Sequence, residues 1–486
     1  MLNTDLQHWT KLWGWKKKNL RQVFYAMQKS VLDYAAAGWQ PYLSDTQMKK
    51  LEVAQNSALH IIGGQYKSTP VEALRLETGV QSYKTTSKQL IAKAYEKAKR
   101  LPAEHPRARI LAEGTPTPHR TKKSSWRKEA QQIIASLPIC SLPREPITIP
   151  LKQPWSTDNE EPNWRVFTNT TENDPGETTQ FNMLMGNPYW NILPQATTDK
   201  NPKAEQAVRV IDNFGVDTII YTDGSCKDGT EEGGSAAVVT TGSARHPVEI
   251  VTIQKKGAKY TCSFEEEKQA MILALKWIAE ENNVNHTVIC SDSQSLLINI
   301  NSESPDLRSI FDLLRSIKGS VTFQWVPSHI NVPGNELADQ AAKGAAMLTS
   351  DEQHAITYGT AKALIERMIK DPDPKHDIVK ESYKHISLKR DEGLKSRKDA
   401  ALVAQLRTGH CRHLAAYRNR IDDTKSPLCK NCDEEDETVL HWLKCPATIM
   451  KRIAIFGNAT ISLGTLTKEP LKVLTFAKAT LKMDSP

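Results

Sequence analysis

The sequence predicts an α/β protein, a mixed sheet with helices on its faces, set between basic helical flanks. Three observations point there. From residue 216, three strand-like runs follow one another, "TIIYTDGS", "SAAVVTTG" and "VEIVTIQ", and helices and strands then alternate. Before that point, apolar residues recur at spacings of three, four and seven, the period of a helix. Beyond about residue 355 the chain is again helical and basic, and it then enters a Cys/His cluster.

The 486 residues are enough for two to four domains. Apolar residues make up 39% of the chain and mean hydropathy is −0.50. No apolar run approaches the roughly 20 residues of a membrane span. Polar and basic residues interrupt every apolar run near the start, so no signal peptide is expected. The expectation is an intracellular protein with no membrane partner, nucleus or cytoplasm left open. Eight cysteines are scattered except for Cys429 and Cys432, which suggests one metal site rather than a disulfide scaffold. The net charge of +8 is unevenly spread: residues 1–130 hold 23 Lys/Arg against 10 Asp/Glu, whereas residues 214–347 sum to −6. Basic surfaces hold phosphate backbones, although a solvated basic face is the plainer alternative.

In the first flank, Leu20, Val23, Phe24, Met27, Val31 and Tyr34 form one helical stripe. Leu51, Ala54, Ala58 and Ile61 repeat it, and Gly63-Gly64 stops it. In "STPVEALRLETG", Thr69 caps a third helix, Pro70 suits its first position and Glu72 closes a capping box. Residues 1–112 thus read as a basic helical module. Residues 138–202 hold ten of the 26 prolines, so 113–213 reads as a Pro-rich linker. Residues 214–347 form the α/β domain, 348–405 a helical connector, and 406–486 a basic region with the Cys/His cluster.

The candidate chemistry begins with two strands that end on acids, Asp223 in "YTDGS" and Asp292 in "VICSD". Parallel neighbours would bring both to one edge of the sheet, where open α/β sheets place their sites. Glu265, Glu266 and Glu267 open the long helix "SFEEEKQAMILALKWIAEEN". First-turn acids favour the helix dipole, and Ser263 with Glu266 spells a capping box. Helical phase separates the three. Glu265 falls with Gln269, Lys276 and Glu280 on the wet side, while Glu267 precedes Met271 and shares the side of Ala274 and Ile278. Glu267 is expected to point inward, with Glu266 second. His329 lies on a loop after a strand, and Asp339 one turn into the next helix. Clustered carboxylates repel unless a cation sits between them. Hard oxygen ligands suit Mg²⁺ or Mn²⁺, and two such ions can activate water against a phosphodiester while His329 shuttles protons.

"YTDGS", the Glu267 helix with Ala274-Leu275, "SDSQ" and "WVPSHINVPGNELADQAAK" together resemble the four motifs of ribonuclease H, in the family's order and spacing. The resemblance implies a five-stranded mixed sheet and cleavage of RNA in RNA/DNA hybrids. It makes Asp223, Glu267, Asp292 and Asp339 ligands of two Mg²⁺ or Mn²⁺ ions and His329 a mobile helper. Some members carry a basic protrusion between the segments corresponding to Asp292 and His329; here only short helices stand there. Residues 214–347 are therefore expected to fold alone yet bind hybrid weakly.

The segments "LRQVFYAMQKSVLDYAAAGWQPYL" and "LEVAQNSALHIIGGQYKSTPVEALRLETG" resemble the helical stretch after the reverse transcriptase core of jockey-like non-LTR retrotransposon polyproteins. The polymerase part of such an element is the partner this implies. Near the other end, "CKNCDEEDETVLHWLKC" sets Cys429-x2-Cys432-x8-His441-x3-Cys445, four ligands that suit a structural tetrahedral Zn²⁺. That module resembles the one ending these polyproteins. His410 and Cys411 stand just upstream as further ligand candidates, with packing the plainer reading. Two alternatives stay open: a catalytically inactive nucleic-acid-binding relic, and a transposase or integrase of the same fold, against which the helix-borne Glu267 and the His329 loop argue.

Overall fold

The structure, a computed structural model, describes residues 15–113, 126–147, 162–169, 201–281, 286–349, 355–384, 391 and 393–481. The chain divides into two compact units, one drawn from 1–92, 116–133 and 369–486, the other from 93–115 and 134–368. No described helix is long and apolar enough to cross a membrane.

The second unit is built on a mixed sheet of six strands: β1 (Trp164–Phe167), β2 (Ile219–Lys227), β3 (Glu231–Ser243), β4 (His246–Lys256), β5 (His286–Ser291) and β6 (Ser320–Trp325). Their order across the sheet is β1-β6-β5-β2-β3-β4. The β2–β3–β4 meander is antiparallel, and β2, β5, β6 and β1 pair in parallel. Side chains alternate between two cores with the strand period of two. Ile220, Ala237, Val239, Ile289 and Phe323 pack with the helices Ser263–Glu280 and Arg308–Ser316. Tyr221, Val238, Val288 and Cys290 fill the opposite core, with the helices Asn201–Asp212 and Pro333–Ala346. Gly334 makes the second packing possible, since a Cβ there would lie 2.1 Å from the Tyr221 ring.

The sheet corrects two expectations. It has six strands, not five, and the added edge strand β1 comes from the stretch expected to be linker. Trp164 and Val166 lean on the core, the Trp164 ring 5.8 Å from that of Phe311. The Asn163 side-chain amide donates to the Leu314 and Ile317 carbonyls at 3.1 and 3.0 Å, with the Gly319 carbonyl 3.2 Å away. A four-residue strand among prolines is too short to show a period. Helix Asn201–Asp212 falls in the same stretch and buries Ala207, Val208 and Ile211 against Ile219 and Tyr221. Helix Trp126–Ala135 also falls there, and 114–125, 148–161 and 170–200 lie outside the described residues.

The first unit joins the two ends of the chain. Its opening stripe holds only in part: Leu20 and Phe24 are buried, but Met27, Val31 and Tyr34 are exposed. The cause is a π-helical turn, Phe24–Lys29, between helices Lys17–Val23 and Ser30–Asp33. It widens the turn and swings the later residues off the 3.6-residue phase. Helix Asp45–Gly63 starts with a Ser44/Gln47 capping box, ends at Gly64 with φ +65°, and buries Gln55, Ala58, Leu59 and Ile62. Thr69 does not cap the next helix, Val71–Thr78. Pro70 takes that position, Thr69 bonds Gln65, and Glu72 accepts the backbone N–H groups of Lys375 and His376. Tyr66 packs on the core of residues 394–481. The fully buried Arg407 pairs with Glu77 at 3.3 Å and Asp391 at 3.0 Å, and Glu77 also takes Lys17 and the Tyr383 hydroxyl. Removing one partner would strand a buried charge.

Two measurements check the role of β1. Against the expectation from sequence that residues 214–347 fold alone, a fragment of 214–347 lacks β1 and helix Asn201–Asp212, and is expected to bind a hydrophobic dye and unfold without a cooperative transition. A fragment of 162–349 is expected to melt cooperatively. In the latter, Asn163→Ala should lower stability by about 1–3 kcal/mol, the cost of unpaired buried carbonyls, read as a lower urea midpoint.

Candidate active site and Cys/His cluster

Three of the four predicted acids meet at one end of the sheet. Asp223 and Asp292 follow parallel-paired residues, Thr222 opposite Ser291, so their strands deliver them side by side. Glu267 arrives from the other face, just past the first turn of helix Ser263–Glu280. It reaches the strand end because Gly224 has no side chain: a Cβ there would sit 2.2 Å from the Glu267 backbone nitrogen. Carboxylate oxygens of Asp223, Glu267 and Asp292 all lie within 4.8 Å of one another. Glu266 points elsewhere and is buried, accepting from Ser235 Oγ at 2.6 Å and from Thr261. It closes no capping box with Ser263, because Cys262 is the N-cap. Glu265 pairs with Lys268 at 2.6 Å on the outer side.

The acids are costly as they stand. Burial, reinforced by Asp292 and Asp339, pushes the Asp223 carboxyl from 3.8 up to about 7. Burial and the charges of Asp223 and Asp292 hold Glu267 well above its ordinary value. Asp292 is also raised by burial, although an Asn335 hydrogen bond and His329 work against it. One Glu267 oxygen, Oε2, is buried without a hydrogen-bond partner. Asp339 stands apart from the trio in an ion pair with Lys343 at 2.5 Å, yet its charge reaches Asp223 and Asp292. His329 is exposed on the loop after β6, in the left-handed region at φ +54°. Asn335, buried on Asp292, escaped the sequence reading. Its position four residues before Asp339, on the same side of one helix, was the available signal.

The second cluster gathers Cys429, Cys432, His441 and Cys445, with ligand atoms within 4.8 Å of one another. Cys429 and Cys445 sulfurs lie 3.7 Å apart, and Cys432 Sγ lies 3.3 Å from His441 Nε2. A tight turn makes the first half: Leu428 bridges Asp436, and Asp433 takes φ +58°. Helix Val439–Lys444, capped by Thr438, supplies His441. Glu435 bonds His441 Nδ1 at 2.9 Å and so leaves Nε2 facing the sulfurs. His410 and Cys411 are not in the cluster. His410 bonds the Thr408 carbonyl, and Cys411 is buried in the apolar core.

The raised carboxyls fix a pH dependence in the absence of divalent metal. An acid whose folded pKa is raised contributes stability that is full below its unfolded value, near pH 4, and is lost as pH rises through about 7 for Asp223. Amides of helix Ser263–Glu280 should therefore exchange hydrogen faster at pH 7.5 than at pH 5, after correction for intrinsic exchange. Asp223→Asn should shrink that difference. An unchanged difference would contradict the burial of this charge.

A ribonuclease H family model matches residues 216–347. The ribonuclease H of Polynucleobacter asymbioticus (strain DSM 18221 / CIP 109841 / QLW-P1DMWA-1) is 30% identical over 141 residues, which are 26% of this chain and 86% of that protein. Among solved structures, RNase H1 of the halophilic archaeon Halobacterium salinarum NRC-1 is 20% identical, with a TM-score of 0.23, over 26% of this chain and 96% of that one. The N-terminal RNase H domain of Rv2228c from Mycobacterium tuberculosis is 21% identical, with a TM-score of 0.23, over 27% of this chain and 99% of that one. Through the domain at residues 216–347, the chain belongs to the ribonuclease H family.

Proposed function

We propose that this chain is a metal-dependent endonuclease that hydrolyses the RNA strand of RNA/DNA hybrids. The observation that carries it is the convergence of Asp223, Glu267 and Asp292 within a ribonuclease H domain. The donor set fits a hard divalent cation: three carboxylates, each held above its ordinary pKa, and one orphaned oxygen on Glu267. Asp223, Glu267 and Asp292 would hold Mg²⁺ or Mn²⁺, with Asp339 as the fourth acid after it leaves Lys343. Two such ions supply Lewis acidity toward water and the phosphodiester. Asn335 keeps the Asp292 carboxylate oriented. His329, on an exposed loop within the field of Asp292, takes the proton role at the leaving oxygen.

The Cys/His cluster is proposed as a structural Zn²⁺ site. Thiolate and imidazole donors at mutual contact distance, with Glu435 orienting His441, match what tetrahedral zinc requires. The resemblance of both flanks supports a retrotransposon origin for the chain, with the polymerase part of the same element as partner.

The experiment is incubation of the full chain with labelled RNA/DNA hybrid and Mg²⁺, beside duplex DNA and duplex RNA. Hybrid-only cleavage is expected, and no cleavage in either Mg²⁺ or Mn²⁺ would favour the inactive relic. Asp223→Asn should lower the rate at least a thousandfold with the fold retained. His329→Ala should slow turnover about a hundredfold, the lower end of the usual range for a proton-transfer group, and leave Mg²⁺ affinity in calorimetry unchanged. Loss of Mg²⁺ binding in that variant would make His329 a ligand instead. Metal analysis of protein purified without chelator should find one zinc per chain. Cys429→Ser should lose that zinc and expose residues 428–445 to hydrogen exchange while hybrid cleavage persists.

A further inference from the structure

A cavity of about 620 Å³ lies in the first unit, between helix Val439–Lys444 and the segment from Phe456 to Glu469. We propose that it binds single-stranded nucleic acid, taking one base against its apolar floor with the strand's phosphates on Lys444 and Lys468. This goes beyond hybrid cleavage and does not rest on it.

The walls are built, not incidental. The Arg452 guanidinium, almost fully buried, donates to the Cys445 carbonyl at 2.7 Å and the Lys444 carbonyl at 3.3 Å on one side, and to the Ala459 carbonyl at 2.7 Å on the other. One side chain thereby fixes the spacing between the two walls. Helix Val439–Lys444 also carries His441, so the Cys/His cluster steadies the same wall.

The lining has two chemistries. Leu440, Phe456 and Ile461 supply apolar surface, and the half-buried Phe456 is the aromatic ring against which a base would stack. Lys444 and Lys468 are exposed at the cavity, and among the described residues neither pairs with a carboxylate. Two lining acids do not cancel them, because each has a cation of its own. Glu381 lies 3.9 Å from Lys384, and Glu469 lies 2.6 Å from Lys472. An apolar floor beside unpaired cations suits a ligand that is flat and aromatic at one end and anionic along its length. A nucleotide strand has that form, and a duplex does not, since its bases are stacked inside. Residues 214–347, by contrast, sum to −6.

The test uses the full chain and labelled oligo-dT and oligo-rU of about twelve nucleotides, a length near the site size of single-strand binders. Binding is read by anisotropy at several salt concentrations. Lys444→Gln with Lys468→Gln should weaken both oligonucleotides about tenfold at low salt. It should also flatten the salt dependence by about 1.4 in log–log slope, two phosphate contacts at roughly 0.7 each. Phe456→Ala should weaken binding about fivefold and leave the slope unchanged. Zinc content and circular dichroism equal to native show that the lysine variant is folded. Native affinity and slope in the lysine variant would overturn the proposal. So would displacement by millimolar inorganic phosphate as effective as that by unlabelled strand at matched ionic strength, which would make the cavity a site for free anions. Hybrid cleavage enters neither readout, so failure here and failure of the nuclease reading are separate results.

Discussion

The second unit is organised around mutual repulsion. Asp223, Glu267 and Asp292 place three carboxylates within 4.8 Å in a largely buried corner, and the fold gives them little to offset the charge. The Gly224 backbone favours the charged forms of Asp223 and Glu267, and Asn335 favours that of Asp292, but burial outweighs both. Such a corner persists only because the surrounding packing is strong enough to hold it. The two apolar cores on either face of β2 do that, closed by helix Ser263–Glu280 on one side and Pro333–Ala346 on the other. Carboxyl groups raised in this way cluster at functional sites.

Small residues transmit this arrangement. Gly224 lets the N-terminus of one helix rest on the strand that carries Asp223, and Gly334 lets the Tyr221 ring lie beneath another. Any side chain at Gly224 would push Glu267 off the strand end and separate the acids. Asp339 shows the opposite treatment. Its helix brings it near, but Lys343 neutralises it one turn later, so Asp339 stays outside the trio.

The first unit solves a different problem with related means. Arg407 is fully buried, and its charge is answered by Glu77 and Asp391, which come from distant parts of the sequence. A buried pair of this kind adds little net stability over an apolar pair but penalises wrong partners heavily. Arg452 works on a smaller scale. It donates to the Lys444, Cys445 and Ala459 carbonyls and so ties the Cys/His turn to the segment beside the cavity.

Much of this was legible in the sequence, where local rules suffice. Strand alternation and helix phase in residues 216–347 announced an α/β domain, and phase alone chose Glu267 over Glu266 and Glu265. Ligand spacing announced the Cys/His cluster, because its members are close along the chain. What escaped depended on partners far away in sequence. The strand Trp164–Phe167 is too short for a period and exists because the β6 edge receives it. A π turn at Phe24–Lys29 rotates Met27, Val31 and Tyr34 into solvent, and no propensity predicts where such a turn falls. Glu72 and Glu266, both fitting capping boxes on paper, were drawn to other donors by tertiary contacts. The sequence by itself determined which residues could do chemistry and on which face of an element each would lie. Only the tertiary structure decided which of them meet, because meeting is settled by packing between segments that the chain separates.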